Sequence, residues 1–433
     1  MTRQAWDDTV VLTLGEHQED DPNGGKQTVG SKTLDVALSY EITQSVFEQP
    51  GAFTFTVGQR ETLAQWIKEV PPETPFYIGL DVGGASLVPL MRGFTDGVQA
   101  NVTSGGSTLQ FDGRDIVKKL HDHYVPADTS FGNSKSYEEI LRTILDTVGL
   151  TDTAIVTDDT ANQKAHAGVE VVNVKELDTK KNILVDKTET VIDAKGNKIT
   201  KTVTKQQDAA VKARVGTRWF EFYSEQLRRV GLFIWTDTQS AIVISVPNPH
   251  QKPVYRIVHK RGKRNEAGGV NIISATYRNN SARRWTMARV YTRGTLKGGR
   301  AQMSGEYVDT EMSERLLPSD PHEGRFRKIL VVQDTELKSP LECDRRARSL
   351  IAEANRENVS LRYVVSGHSV PALSTAGVRA VWTPNTVVDV QDEEFGLFGP
   401  WYLSSVTMRR GPETTTELTL MRPEDCVFLP ELE

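Results

Sequence analysis

The sequence is short of the features that announce chemistry. Among 433 residues there are two cysteines, Cys343 and Cys426. That is too few for a disulfide framework, and nothing has paired metal-ligand spacing. No stretch approaches the ~20 apolar residues of a membrane span, so no stable membrane insertion is expected. Residues 1–10 are polar and lack the apolar run of a signal peptide, which leads us to expect folding in a cytoplasm. Basic excess is missing too: 52 Lys and Arg face 57 Asp and Glu, for a net charge of -5. A dedicated nucleic-acid binder would carry the opposite balance, so no specific nucleic-acid partner is expected. The basic run 260–264 reads as a solvated patch. There is no Walker loop, dinucleotide fingerprint or nucleophile elbow. Tryptophans and tyrosines fall at core periodicities and not as base-stacking platforms.

Two short clusters invite a chemical reading. His121-Asp122-His123 sets two imidazoles at i and i+2, a spacing that can chelate a metal from a strand. This segment follows an apparent helical turn, and a structural role is expected. Glu393-Glu394 offers a carboxylate pair of the kind sugar hydrolysis uses, but adjacent side chains on a strand or turn point apart. We expect no catalytic, cofactor-binding or metal-binding residues, no cofactor, and no enzymatic activity.

What the chain does contain is an internal echo. Residues 80–115 and a stretch near the other end share one ungapped offset: Leu80/Val388, Asp81/Asp389, Val82/Val390, Leu87/Phe395, Leu90/Phe398, Phe94/Tyr402 and Val98/Val406. A turn follows in each, Ser104-Gly105-Gly106 and Arg410-Gly411-Pro412. After one inserted residue Leu109 and Phe111 are answered by Leu418 and Leu420. Each copy reads as strand, loop, strand, glycine turn, strand, with apolar side chains at period two. The period is too long for a solenoid and predicts two related β modules.

The length predicts two to four domains. Residues 1–115 read as a first β-barrel or strongly curled antiparallel sheet: strands at 9–14 and 33–57, a short helix at 61–70, then the first repeat. Residues 116–250 read as an α/β module. In it Ser136-Tyr137-Glu138-Glu139 is a capping box opening a helix with Ile140, Leu141, Ile144, Leu145 and Val148 on one face. A second helix carries Trp219, Phe220, Tyr223, Leu227 and Val230 and ends at Gly231, followed by a strand pair around Thr236-Asp237-Thr238. Its inserted segment 171–215 alternates about Lys195-Gly196-Asn197 and predicts a long hairpin arm, either solvated or a docking finger for a neighbouring subunit. Residues 251–340 read as a β segment with an irregular connection at 294–325. Residues 341–433 read as a helix opened by the capping box Ser339-Pro340-Leu341-Glu342, then the second β module. The expected class is α+β, mainly β, with two tube-like antiparallel β-barrel modules, the mixed α/β module and the hairpin.

The order of these pieces resembles a known family, the baseplate hub proteins of contractile phage tails: the Mu-like tail protein P group of the late-control-protein superfamily. The matching pieces are Phe53-Thr54-Phe55, Arg92-Gly93-Phe94-Thr95-Asp96, Gly113-Arg114-Asp115 leading to a helix, the helix from Gly216-Thr217 to Gly231-Leu232, and Trp235-Thr236-Asp237. Residues 271–292, the helix–strand at 347–367 and the closing module at 382–420 complete the series. Members are also similar to the first part of type VI secretion spike proteins. The chain departs from a typical member at 171–215 and around 20–25. The resemblance implies a structural, non-catalytic hub: a homotrimer on the tail axis whose six β modules match the six-fold tail tube, while its three-fold symmetry matches the central spike. It implies as partners a tail tube or distal tube-initiator protein and the spike, with tape measure and baseplate wedge proteins as further neighbours. It places the protein in the virion tail baseplate, assembled in the bacterial host cytoplasm. Two alternatives stand beside it: the trunk of a type VI-like secretion spike, and a tail-associated cell-wall hydrolase.

Overall fold

The structure is a computed structural model. It describes the chain from residue 8 to residue 426 apart from residues 158–180, 193–197, 262–270, 310–327 and several shorter stretches. Alternating apolar and polar residues build the first set of strands: β1 (Thr9–Leu14), β2 (Lys32–Leu34), β3 (Ser39–Ser45), β4 (Ala52–Gly58), β5 (Pro75–Asp81), β6 (Val88–Thr103) and β7 (Gly106–Asp115). Phe53, Phe55 and Val57 of β4 are buried while their neighbours are not, as period two requires. Most of the helix expected at 61–70 lies outside the described residues, although Trp66 and Val70 reach the core.

The α/β unit follows with α1 (Lys118–Asp122), α2 (Tyr137–Thr147) and β8 (Ile155–Thr157). The α2 capping box is formed as the sequence predicts. Ser136 Oγ accepts from the Glu139 amide at 3.2 Å, and the Glu139 carboxylate accepts from the Ser136 amide at 2.7 Å. Next come the strands β9 (Lys181–Ile192) and β10 (Lys198–Ala209), an antiparallel hairpin that, among the described residues, pairs with no other strand. α3 (Trp219–Arg229), β11 (Phe233–Thr236) and β12 (Ile242–Ser245) close the unit. Trp219 and Tyr223 sit one turn apart on α3 and are buried with Leu232, Ile234, Ile242 and Ile244. The indole meets the rings of Phe131 and Phe222, each at a centroid distance of 6.3 Å.

The remaining elements are β13 (Tyr255–His259), β14 (Ile272–Asn279), β15 (Met287–Leu296), β16 (Gly299–Val308), β17 (Ile329–Gln333), α4 (Pro340–Asn358), β18 (Val359–Ser366), β19 (Thr386–Asp392), β20 (Leu397–Arg410) and β21 (Thr414–Met421). One expectation changes here. Residues 294–296 and 299–308 are not irregular but belong to the β15–β16 hairpin, and the rest of the expected irregular connection, 310–325, lies outside the described residues. The hairpin packs against α4 and the segment before it, with Ala288 and Val290 buried among Leu337, Cys343, Ala347 and Ile351. Gly305 lets α4 pass that closely: a Cβ there would lie 2.3 Å from the Asp344 amide nitrogen. β14 pairs with β18, and β15 pairs with β16 and β17. Ser339, the expected cap of α4, lies outside the described residues.

The larger correction concerns the β modules. Among the described residues no sheet closes into a barrel. Both modules belong to one open 13-stranded sheet in the order β14-β18-β21-β20-β3-β4-β7-β6-β5-β1-β2, with β19 beside β20 and β13 beside β19. One continuous core lies against it, running from Leu12 and Phe55 to Tyr363 and Leu420. Period two cannot tell a barrel from an open sheet, because both bury alternate side chains.

Two outcomes follow for stability. Trp219→Ala removes a 2 % exposed indole and should cost about 3–5 kcal/mol, read as a lowered denaturant midpoint; an unchanged midpoint would place this ring outside the core. Replacing residues 181–209 by a short Gly/Ser bridge should leave the unfolding midpoint of the remaining chain within error, because among the described residues those strands pair only with each other. A variant that fails to fold would make the hairpin part of the core.

Candidate assembly interface

The repeat is real, and its register can be read from the pairing. β6 and β20 are the middle strands of the two modules. Both carry a β-bulge at the position the ungapped offset predicts: β6 skips Asp96, between Thr95 and Gly97, and β20 skips Ser404, between Leu403 and Ser405. Val98 and Val406 both face the main core. Phe94 and Tyr402 both turn away from it, Phe94 onto the core of the α/β unit and Tyr402 onto Trp235 and Val243 of its strands.

The flanking strands slip. Val98 pairs with Phe111, but Val406 pairs with Leu418, so Phe111 answers Leu418 and not Leu420. The second hairpin is thus one residue shorter, not longer. On the other side Ile78 pairs with Met91 and Val390 with Gly399, which makes Phe76 and Ile78 the counterparts of Val388 and Val390. The pairs Leu80/Val388 and Val82/Val390 are therefore not equivalent, and Val82 follows the end of β5. Every slip is by an even number of residues. Facing is preserved by such a slip, which is why the alternation could not reveal it. The match extends further than the sequence echo. Phe55 pairs with Phe111, and Tyr363 with Leu418, so β4 corresponds to β18. Tyr40 pairs with Phe55, and Ala275 with Tyr363, so β3 corresponds to β14.

The two modules meet where β20 changes partner. Before its bulge, Leu397–Leu403 pair with β19; after it, Ser405–Arg410 pair with β3. Thr43 and Thr407 bring their hydroxyls to 3.3 Å across this joint. Arg409 spans three strands, donating to Glu41 at 2.9 Å and to Glu417 at 2.6 Å. Beneath it lies a buried polar node. Tyr40 Oη and His368 Nε2 are 2.7 Å apart, His368 Nδ1 and Thr416 Oγ1 are 2.8 Å apart, and the Asp8 carboxylate accepts from the amides of His368 and Ser369. Burial pushes the His368 imidazole down to about 4, with Arg410 acting the same way and Asp8 opposing.

A second node ties the sheet to the α/β unit. Asp115, at the end of β7, accepts from the Gly51 and Val117 amides and from Thr236 Oγ1 on β11. Burial raises its carboxyl to about 6 against the pull of those three donors. Beside it the buried Lys118 donates to Thr95 O at 3.0 Å and pairs with Glu73 and with the bulge residue Asp96, which also holds Arg114.

The candidate chemical residues are placed apart. His121 lies in α1 with its ring stacked on Phe220 at 4.0 Å, and burial drops its imidazole to about 4. His123 caps α1 and turns Nδ1 back to Lys119 O at 2.8 Å. Among the described residues no three His, Cys, Asp or Glu side chains gather as a metal would need. Glu393 and Glu394 sit in the turn after β19, where Glu393 accepts from the Arg261 amide and the Glu394 amide donates to Asp392. Sequence reasoning passed over Asp8 and His368, whose partners lie too far along the chain to mark them locally.

No protein-family model matches the sequence, and no curated protein does. Solved structures share the fold. The 43 kDa tail protein of prophage MuSo2 from Shewanella oneidensis is 15% identical with a TM-score of 0.66, over 97% of this chain and 99% of that one. The tail protein from Neisseria meningitidis MC58 is 13% identical with a TM-score of 0.62, over 95% and 96%. A chain of the half-lidded Francisella PdpA–VgrG complex is 9% identical with a TM-score of 0.51, over 100% of this chain and 60% of that one. The chain thus has the fold of phage tail proteins, and it is similar throughout its length to part of a secretion-spike assembly.

The His368 node makes a pH prediction. A histidine whose folded pKa lies below its unfolded value favours folding above about 6.5 and loses that contribution as pH falls toward about 4. The stability gap between the wild type and His368→Gln should therefore narrow by about 2–3 kcal/mol between pH 7.5 and pH 4.5. Denaturant unfolding at both values measures it, and a constant gap would mean that the fold leaves the His368 pKa where it is in the unfolded chain.

Proposed function

We propose that this protein is the structural hub of a phage tail baseplate: a homotrimer that joins the six-fold tail tube to the three-fold central spike. One observation carries the reading. A chain with the fold of phage tail proteins holds two copies of one β module, from β3-β4-β7-β6 and from β14-β18-β21-β20, side by side in a single sheet. Two modules per chain turn a trimer into six quasi-equivalent positions, with a rotation of about 60° between neighbours. The hub is non-catalytic and needs no cofactor. Its neighbours are the tube or tube-initiator protein on one side and the spike on the other, with tape measure and wedge proteins further out. It works in the virion and assembles in the host cytoplasm. The units run 1–115, 116–250 with the arm 171–215, 251–340 and 341–433, joined at the sheet.

A secretion-spike trunk is the second reading, supported by the likeness to the PdpA–VgrG complex. It uses the same trimer and differs in what is fused or bound below. Sedimentation or light scattering of the purified chain, alone and with a central spike protein, should give a trimer in at least one condition. A stable monomer or an even-numbered ring in both would overturn the hub reading.

A further inference from the structure

The joint inside the chain is a template for one that the chain leaves open. Within the chain the outer half of β20 pairs with β3. The counterpart of β20 is β6, and the counterpart of β3 is β14. Among the described residues the outer half of β6, from Gly97 to Thr103, pairs with β7 on one side only, because the pairing of β6 with β5 ends at Phe94, opposite Pro75. β14 pairs with β18 on one side only and ends the sheet. Among the described residues neither edge has a second strand partner. Burial marks the same difference. Val406 and Met408 of β20, and Tyr40 and Ile42 of β3, are at most 3 % exposed across the completed joint. Their counterparts Val98 and Ala100 on β6, and Ala275 and Tyr277 on β14, pack against the same core but remain only half-buried. Val102, next along that face of β6, is 73 % exposed.

Resting on the trimeric reading, we infer that the outer half of β6 pairs antiparallel with β14 of a second copy of this chain, in the register of the internal joint. Val98 then faces Asn279, Gln99 faces Arg278, Ala100 faces Tyr277, Asn101 faces Thr276 and Val102 faces Ala275. The small Ala100 opposite the large Tyr277 fills the space that Met408 and Ile42 fill within the chain. The main-chain groups of both edges find partners, which removes two exposed edges that would otherwise template indiscriminate pairing. The contact is head-to-tail, and so it propagates from copy to copy until it closes on itself. One sheet then runs through all copies.

The test uses the internal joint as its control. Thr43 and Thr407, 3.3 Å apart at their hydroxyls, correspond to Arg278 and Gln99. In the full-length chain, Thr43→Cys with Thr407→Cys should oxidise to a disulfide within one chain. Gln99→Cys with Arg278→Cys should oxidise to disulfide-linked dimers and trimers on non-reducing gels, while each single substitution stays monomeric on the gel. A chain that is trimeric by light scattering, and whose control pair oxidises while Gln99→Cys/Arg278→Cys does not, would overturn this pairing and leave the trimer intact. Linked dimers from Gln99→Cys alone would show β6 pairing with itself and overturn it as well. A chain that stays monomeric by mass, alone and with the spike, removes both readings.

Discussion

The bulge at Ser404 is the constraint on which the architecture depends. A regular strand has one partner along each edge. β20 has two along the same edge, β19 before the bulge and β3 after it. The extra residue lets the strand turn away from β19 and bring its outer half to β3, the kind of re-aiming that bulges provide. The bulge is paid for locally: Ser404 O accepts from the Val46 amide at 3.0 Å, and Ser404 Oγ donates to Thr419 O at 3.0 Å. Without that turn the modules would be two separate sheets. With it they share a core and hold a fixed relation.

The same bulge in β6 is used differently. Asp96 points its carboxylate at Arg114 and Lys118 and anchors the start of the α/β unit. A carboxylate there needs cations, and they come from Gly113-Arg114-Asp115 and α1. The serine at the other bulge needs only backbone partners. So one backbone device serves a sheet joint in one module and a domain joint in the other, and the side chain at a single position decides which. A charged residue at 404 would sit, 2 % exposed, beside β3, where an unpaired charge is costly.

What the sequence revealed and hid follows from the range of each interaction. The capping box at Ser136, the stripe of Trp219 and Tyr223, the pairing of β9 with β10 and the facing of Val98 and Val406 depend on residues a few positions apart, or on period two. All are legible. The pairing of Thr407 with Thr43 joins residues 364 apart, and nothing local marks it. The closed modules expected from the pattern fail for that reason: alternation says which side is buried and is silent on what lies beyond the edge. Even slips in β5 and β7 are invisible to it as well. The buried trio Asp8, His368 and Tyr40 was hidden because each residue alone looks like an ordinary polar position.

The ties around the joint also explain why the two modules can act as one rigid piece. Coulombic contacts on the outer face, through Arg409, Glu41 and Glu417, are half-exposed and contribute little each. The inner face matters more. There Asp8 from the first module fixes the backbone at His368 and Ser369, and His368 in turn meets Tyr40 of β3 and Thr416 of β21. Buried polar groups that satisfy one another are costly to separate, because each loses a partner in a dry interior. The joint is therefore held by packing across its length and by directional bonds at one point, which resists hinging as well as separation. In the proposed hub that rigidity has a use. Six positions built from three chains stay evenly spaced only if the angle inside a chain is as fixed as the angle between chains, and a shared sheet with a polar lock beneath it supplies the first of these.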